Sequence, residues 1–160
     1  KTVLQQKPQA RLLLCGQGEN FEQSQQEAKA LGIAEMVLFC GNVNRPEDYL
    51  QAMDVFVMTS LFEGLPIVGV EAQASGLPCI FADTITQEVK ILPQTQFLAL
   101  TQPDEAWAER IVQTKPMERS LAGHCVESAG FAEENLDRQV CALYGMEEHH
   151  FANISGRDHL

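Results

Sequence analysis

A chain of 160 residues, 45% of them apolar, suits one domain with a substantial core. Its formal charge of −11, from 11 Lys and Arg against 22 Asp and Glu, argues against a nucleic-acid partner, because a phosphate backbone is held mainly by clustered cations. No apolar run approaches the ~18 residues that a membrane span needs, so the pattern gives no transmembrane segment.

In chain order, Lys1 to Gln6 carries neither an initiator Met nor a signal-peptide pattern and reads as the last turns of a helix, stopped by Pro8. Arg11 to Cys15 is a short apolar strand. Gly16-Gln17-Gly18-Glu19 follows, then a polar helix from about Asn20 to Leu31 that Gly32 ends. The strand running into G-x-G resembles a dinucleotide fingerprint without its third glycine, and a simple tight turn explains Gly16 and Gly18 equally well. Val37 to Cys40 is the next strand, ending at Gly41-Asn42-Val43. A short helix opens at Pro46, and Asp54 to Met58 is expected to be a strand buried on both faces. Continuous apolar strands alternating with helices imply an α/β fold with a parallel sheet, whose ligands bind beyond the carboxyl ends of the strands.

The stretch from Thr59 to Asp83 carries the chemistry. It leaves the strand at Met58, turns through Glu63-Gly64-Leu65-Pro66, runs as an apolar helix to Gly76-Leu77-Pro78, and enters a second apolar run. Pro66 suits the first helical position, since its ring presets φ and its missing N–H would lack an intrahelical partner. Gly64 removes bulk where free backbone N–H groups point outward, so this helix start is expected to bind an anion or hydroxyls. Glu71 lies roughly 7 to 8 Å along the axis from Pro66. Ile67, Val68, Val70, Ala72 and Ala74 make the helix apolar nearly all round, which predicts burial. A carboxylate there needs hydrogen-bond partners, from a ligand or from backbone or a lysine of the protein itself.

Beyond Val89, the elements expected are a strand over Gln96 to Leu100, a helix over Pro103 to Val112, a helix over Met117 to Ser128 ended near Gly130, and a helix over Glu133 to Tyr144. The domain is taken as 1–144 and 145–160 as a polar tail. The five cysteines are odd in number and lack C-x-x-C spacing, which predicts free thiols in a reducing, cytoplasmic compartment. The four histidines share no metal-ligand spacing with them, and no metal site is expected.

Glu63-Gly64-Leu65-Pro66 followed by Glu71-Ala72-Gln73-Ala74-Ser75-Gly76-Leu77-Pro78 resembles the Glu-x7-Glu signature of family 4 retaining glycosyltransferases, in their C-terminal nucleotide-sugar domain. The continuation from Cys79 to Val89 is most similar to the branch that assembles bacterial exopolysaccharide and capsule. Leu12 to Glu19, Val37 to Gly41 and Met53 to Ser60 keep the family order, and it is this ordered set that carries the resemblance. It implies the C-terminal half of a GT-B fold, a Rossmann-like doubly wound parallel sheet. It also implies a nucleotide diphosphate sugar as donor, with uridine favoured, and a saccharide or lipid-linked acceptor brought by an N-terminal domain. It leaves room for peripheral association of the parent at the inner face of the membrane.

The site residues that the resemblance implies are Glu63 as catalytic, and Glu71, Gly64, Leu65, Pro66, Ile67, Val68, Gly16, Gly18, Gly41, Asn42 and Val43 as donor-binding. Glu71 would accept hydrogen bonds from two ribose hydroxyls, and the 41–43 loop would sit against the base. Glu63 would hold a donor-sugar hydroxyl near the developing cationic sugar, and is not assigned as a nucleophile, because relatives retain configuration by what looks like front-face attack. No metal is implied, since no Asp-x-Asp pair is present and cations replace it in this family.

One departure stands out. Relatives begin this domain with a strand and a loop bearing an Arg and a Lys for the diphosphate, which this chain lacks, so it is read as a fragment of a longer enzyme. The absent strand would lie between those at Leu12 and Val55, and exposed apolar surface is expected there. Two other readings are a nucleotide-sugar-binding module inactive in isolation, which a two-domain epimerase would share, and a receiver-like signalling domain. The latter needs a phosphorylated Asp closing the strand at Met58, where Thr59 stands instead.

Overall fold

The structure is a computed structural model and describes residues 1–131. The expected helix over Glu133 to Tyr144 and the tail over 145–160 lie outside the described residues.

Helix α1 (Thr2–Gln6) leads into strand β1 (Leu12–Cys15), and helix α2 (Phe21–Ala30) is followed by a 3-10 turn and strand β2 (Val37–Gly41). Helix α3 (Pro46–Gln51), strand β3 (Phe56–Met58), helix α4 (Ile67–Ala74) and strand β4 (Cys79–Ala82) come next. A 3-10 turn over Gln87–Val89, strand β5 (Gln96–Leu98), helices α5 (Asp104–Gln113) and α6 (Arg119–Val126) and a wider helical turn over Glu127–Phe131 complete the described chain. Among the described residues every strand pairing is parallel. With helices between consecutive strands, this is the expected Rossmann-like α/β architecture. Among the described residues no helix is long and apolar enough to cross a membrane.

The strands form two sheets, β1–β2 and β3–β4–β5. The first pairs Leu12, Leu13 and Leu14 with Val37, Leu38 and Phe39 in step, then slips so that Cys15 stands opposite Gly41. The second pairs Phe56 with Cys79 and Ile80 with Gln96. Between β1 and β3 there is no ladder, and Leu12 is 50% exposed and Val57 37%. The apolar surface expected at that place is therefore present. The same feature corrects the reading of β3 as buried on both faces: the strand is shorter, and only half-buried, because no strand covers its free edge.

The core sits on the second sheet. All four residues of β4 are buried, and the Phe81 ring lies between Phe56, which it meets edge-on, and Phe97, tilted against it, at centroid distances of 6.2 and 5.7 Å. Each such side chain removed from water contributes roughly 1.5–3 kcal/mol. Leu50, Val70, Leu77, Ile85, Val89 and Val126 bring α3, α4, α6 and the loop after β4 onto this centre. Gly76 ends α4 with φ 76°, and an added Cβ there would meet the Met117 carbonyl oxygen at 2.8 Å. Only glycine combines that left-handed turn with the close approach of the segment entering α6.

Several boundaries differ from expectation. Pro66 is the N-cap of α4 rather than its first residue, and its carbonyl accepts from Gly69 and Val70 N–H. The strand at Gln96 stops at Leu98, and α6 gives way at Glu127 to a wider turn in which Gly130 takes φ 96°.

Candidate functional site

Within each parallel sheet the strand tips lie along one edge, and the residues singled out from the sequence close a strand, fall in the loop after it or lie in the helix that follows. They form two groups. Gly16 and Gly18 follow β1, and Gly41, Asn42 and Val43 close or follow β2. Gly16 N–H donates to the Gly41 carbonyl at 2.6 Å, and both glycines take positive φ, so the two chains leave the ladder together. The third glycine of a dinucleotide fingerprint is not needed for this turn, in which an added Cβ at Gly16 or Gly18 would meet nothing within 4 Å.

The second group is the turn from β3 into α4. Glu63 is half-buried, and its Oε1 accepts a 3.0 Å hydrogen bond from the Ser60 hydroxyl. Ser60 is held in turn by Thr84, whose hydroxyl donates to the Ser60 carbonyl at 2.7 Å. Thr84 follows β4, so the tips of adjacent strands are laced together and Glu63 is oriented from both. Sequence reading missed Ser60 and Thr84, since a contact between hydroxyl residues 24 positions apart leaves no local signal.

The helix start is open. Gly64 and Leu65 are exposed, Pro66 is buried, and Ile67 is 59% exposed. The N–H groups of Ile67 and Val68 have no intrahelical acceptor, and the positive end of the helix dipole lies there. Glu71 is exposed, which overturns the expectation of a buried carboxylate. The helix is two-faced: Gly69, Val70, Ala72 and Gln73 are buried, whereas Ile67 and Glu71, four residues apart, share the outer stripe. Apolar Ile67 in an exposed position hid that stripe from the hydropathy pattern. The Glu71 carboxylate makes no hydrogen bond or ion pair with the described residues. Helical side chains lean toward the N-terminus, so its carboxylate is directed back over the turn that holds the free N–H groups.

Gln73, on the opposite face, is a second residue the sequence did not single out. It is fully buried, and its amide nitrogen donates to the Gly69 and Val89 carbonyls at 3.0 and 2.7 Å. Its amide oxygen accepts from the Ile91 and Leu92 N–H groups and from the Thr95 hydroxyl at 3.0, 2.9 and 2.8 Å. The loop between β4 and β5 is thereby pinned to α4. The signal that could have found it is one polar residue on an otherwise apolar helix face.

No hydrogen bond among the described residues joins the two groups of site residues. A pocket of about 540 Å³ lies elsewhere, against β5 and α5 between Lys90 and Arg110, and is lined by none of the residues expected at the site. The site is an open edge with donors and carboxylates along it, suited to an extended polar ligand rather than an enclosed one.

The family described as "Glycosyl transferases group 1" matches residues 1–123. The chain is 45% identical over 103 residues to the putative glycosyltransferase EpsF of Bacillus subtilis (strain 168), covering 64% of this chain and 27% of EpsF. It is 35% identical over 141 residues to the Vi polysaccharide biosynthesis protein VipC/TviE of Salmonella typhi, covering 83% and 24% respectively. The chain thus spans about a quarter of the length of these relatives. Among solved structures, Anabaena Alr3699/HepE, determined in complex with UDP, matches with a TM-score of 0.69 at 19% identity, over 86% of this chain and 41% of that one. The apo form of the lipopolysaccharide outer core galactosyltransferase WaaB matches with a TM-score of 0.67 at 21% identity, over 84% and 40%. These likenesses agree with the α/β fold described above, and with residues 1–123 matched the chain belongs to the group 1 glycosyltransferases.

Proposed function

We propose that this chain is the donor-binding half of a retaining glycosyltransferase of family 4, which moves a sugar from a uridine diphosphate carrier to a polysaccharide or lipid-linked acceptor. The observation that carries the reading is Glu71, an exposed carboxylate without a partner among the described residues, on the helix that starts with two free N–H groups and eight positions after Glu63. A carboxylate can accept from two adjacent ribose hydroxyls at once, and the N–H groups of Ile67 and Val68 can donate to diphosphate oxygens. Gly16, Gly18, Gly41, Asn42 and Val43 offer backbone along the neighbouring tips for the base. Glu63, steadied by Ser60, holds a donor-sugar hydroxyl and places negative charge near the cationic sugar that forms as the bond to phosphate breaks. The acceptor proton then passes to the leaving phosphate on the same face, and no metal is invoked.

Catalysis in this reading needs a second domain to close the cleft and bring the acceptor. Leu61 and Phe62, both more than 80% exposed beside Glu63, lie on the side where it would close. The similarity to EpsF and VipC/TviE supports exopolysaccharide or capsule assembly as the setting, and a cytoplasmic site of action is proposed with it. Calorimetric titration of this chain with UDP tests the reading. Binding without sugar transfer is expected; turnover by this chain alone, or no heat with UDP or GDP, would overturn it.

A further inference from the structure

Cys15 closes β1, and Cys40 lies one residue before the end of β2. The ladder runs in step to Leu14 and Phe39, then passes over Cys40 to set Cys15 opposite Gly41. The slip leaves Cys40 beside Cys15 rather than further along the strand. The Cys40 thiol donates to the Leu38 carbonyl at 3.7 Å and lies close enough to Cys15 to act on it electrostatically. Neighbouring strands lie about 4.8 Å apart, within the range of about 4.4 to 6.8 Å that a disulfide spans between Cα atoms. Both thiols are free, Cys15 is exposed and Cys40 half-buried, whereas Cys79 is buried in β4 and Cys125 lies on α6.

We propose that Cys15 and Cys40 are a redox-active dithiol that a peroxide closes into an intramolecular disulfide. One thiolate attacks a peroxide oxygen, breaking the O–O bond and leaving a sulfenic acid and hydroxide. The second thiol then attacks the sulfenic sulfur, the S–S bond forms, and water departs with its proton. The balance is two thiols and one hydrogen peroxide giving one disulfide and two waters; sulfur is oxidised and peroxide oxygen reduced. Partial burial, then the adjacent Cys40 thiol, push the Cys15 thiol above its ordinary range, so closure accelerates as pH rises toward thiolate formation. The bond would tie together the tips from which Gly16 and Gly41 turn. That consequence for a nucleotide rests on the functional reading above, whereas the dithiol itself does not.

The test treats the protein with stoichiometric hydrogen peroxide, blocks remaining thiols with N-ethylmaleimide, and maps peptides by mass spectrometry. A cross-link between Cys15 and Cys40 lacking two hydrogens is expected, forming faster at higher pH. Phenylarsine oxide, which is retained only by two adjacent thiols, should bind the reduced protein and be lost in Cys40→Ser. Over-oxidation of Cys15 while Cys40 stays alkylable, or a cross-link to another cysteine, would overturn the proposal. Should Cys40→Ser fail to fold, the wild-type cross-link map decides alone, and neither readout depends on nucleotide binding.

Discussion

Glu63 and Glu71 are eight positions apart in sequence yet stand in different surroundings. Glu63 is half-buried and hydrogen-bonded, while Glu71 is exposed and unpartnered among the described residues. An oriented carboxylate suits a role at the reacting sugar, where geometry matters more than grip. Replacing Glu63 by Ala in the full-length parent should therefore lower kcat more than it raises KM, and equal losses in both would reduce its role to binding. Gln73 is the counterpart on the buried face. With all its amide capacity used, Gln73→Leu would leave buried N–H and C=O groups unpaired and should cost about 3 kcal/mol in urea unfolding, whereas a loss below about 1 kcal/mol would mean that the loop holds itself. The two acids were legible from their spacing. Ser60, Thr84 and Gln73 were not, because their partners come from across the fold.

At the scale of elements, the strand-turn-helix order was legible because glycine and proline punctuate it and apolar runs mark the strands. Boundaries were less so: Pro66 caps α4 instead of opening it, and β5 stops at Leu98 rather than Leu100, although Gly130 breaks the helical run where its glycine signal placed the end. The burial of α4 was overread, since an exposed Ile67 made a two-faced helix look apolar all round. Strand β4 behaves as its composition suggests. Burial pushes the Cys79 thiol up from 9.0 to about 12. Above pH 9 the unfolded chain gives up this proton while the folded one keeps it, so the unfolded state binds fewer protons and stability falls as pH rises. The contribution of Cys79 is thus fully present below pH 9 and lost between about 9 and 12. Urea midpoints measured across that range should decline less in Cys79→Ala than in the wild type, and parallel declines would place the loss at other groups.

For the whole molecule, parallel pairing and the convergence of site loops on strand tips followed from the alternation of apolar runs and helices. The division into two sheets reflects strand partners that local patterns do not encode; it was legible only as the expectation of an open seam between β1 and β3. The core then falls on β3–β5, while β1 and β2 expose Leu12, Leu14 and Leu38. A nucleotide in the proposed pose would lie along both tips, touching the glycine turns on one sheet and the start of α4 on the other. The most direct measurement is a UDP titration of the protein followed through backbone amide resonances, for wild type and Glu71→Ala. The account expects Gly16, Gly41, Ile67 and Val68 to shift together and Glu71→Ala to weaken affinity by about 1 to 3 kcal/mol, roughly fivefold to more than a hundredfold. Shifts confined to the pocket between Lys90 and Arg110, or an unchanged affinity in the variant, would contradict it.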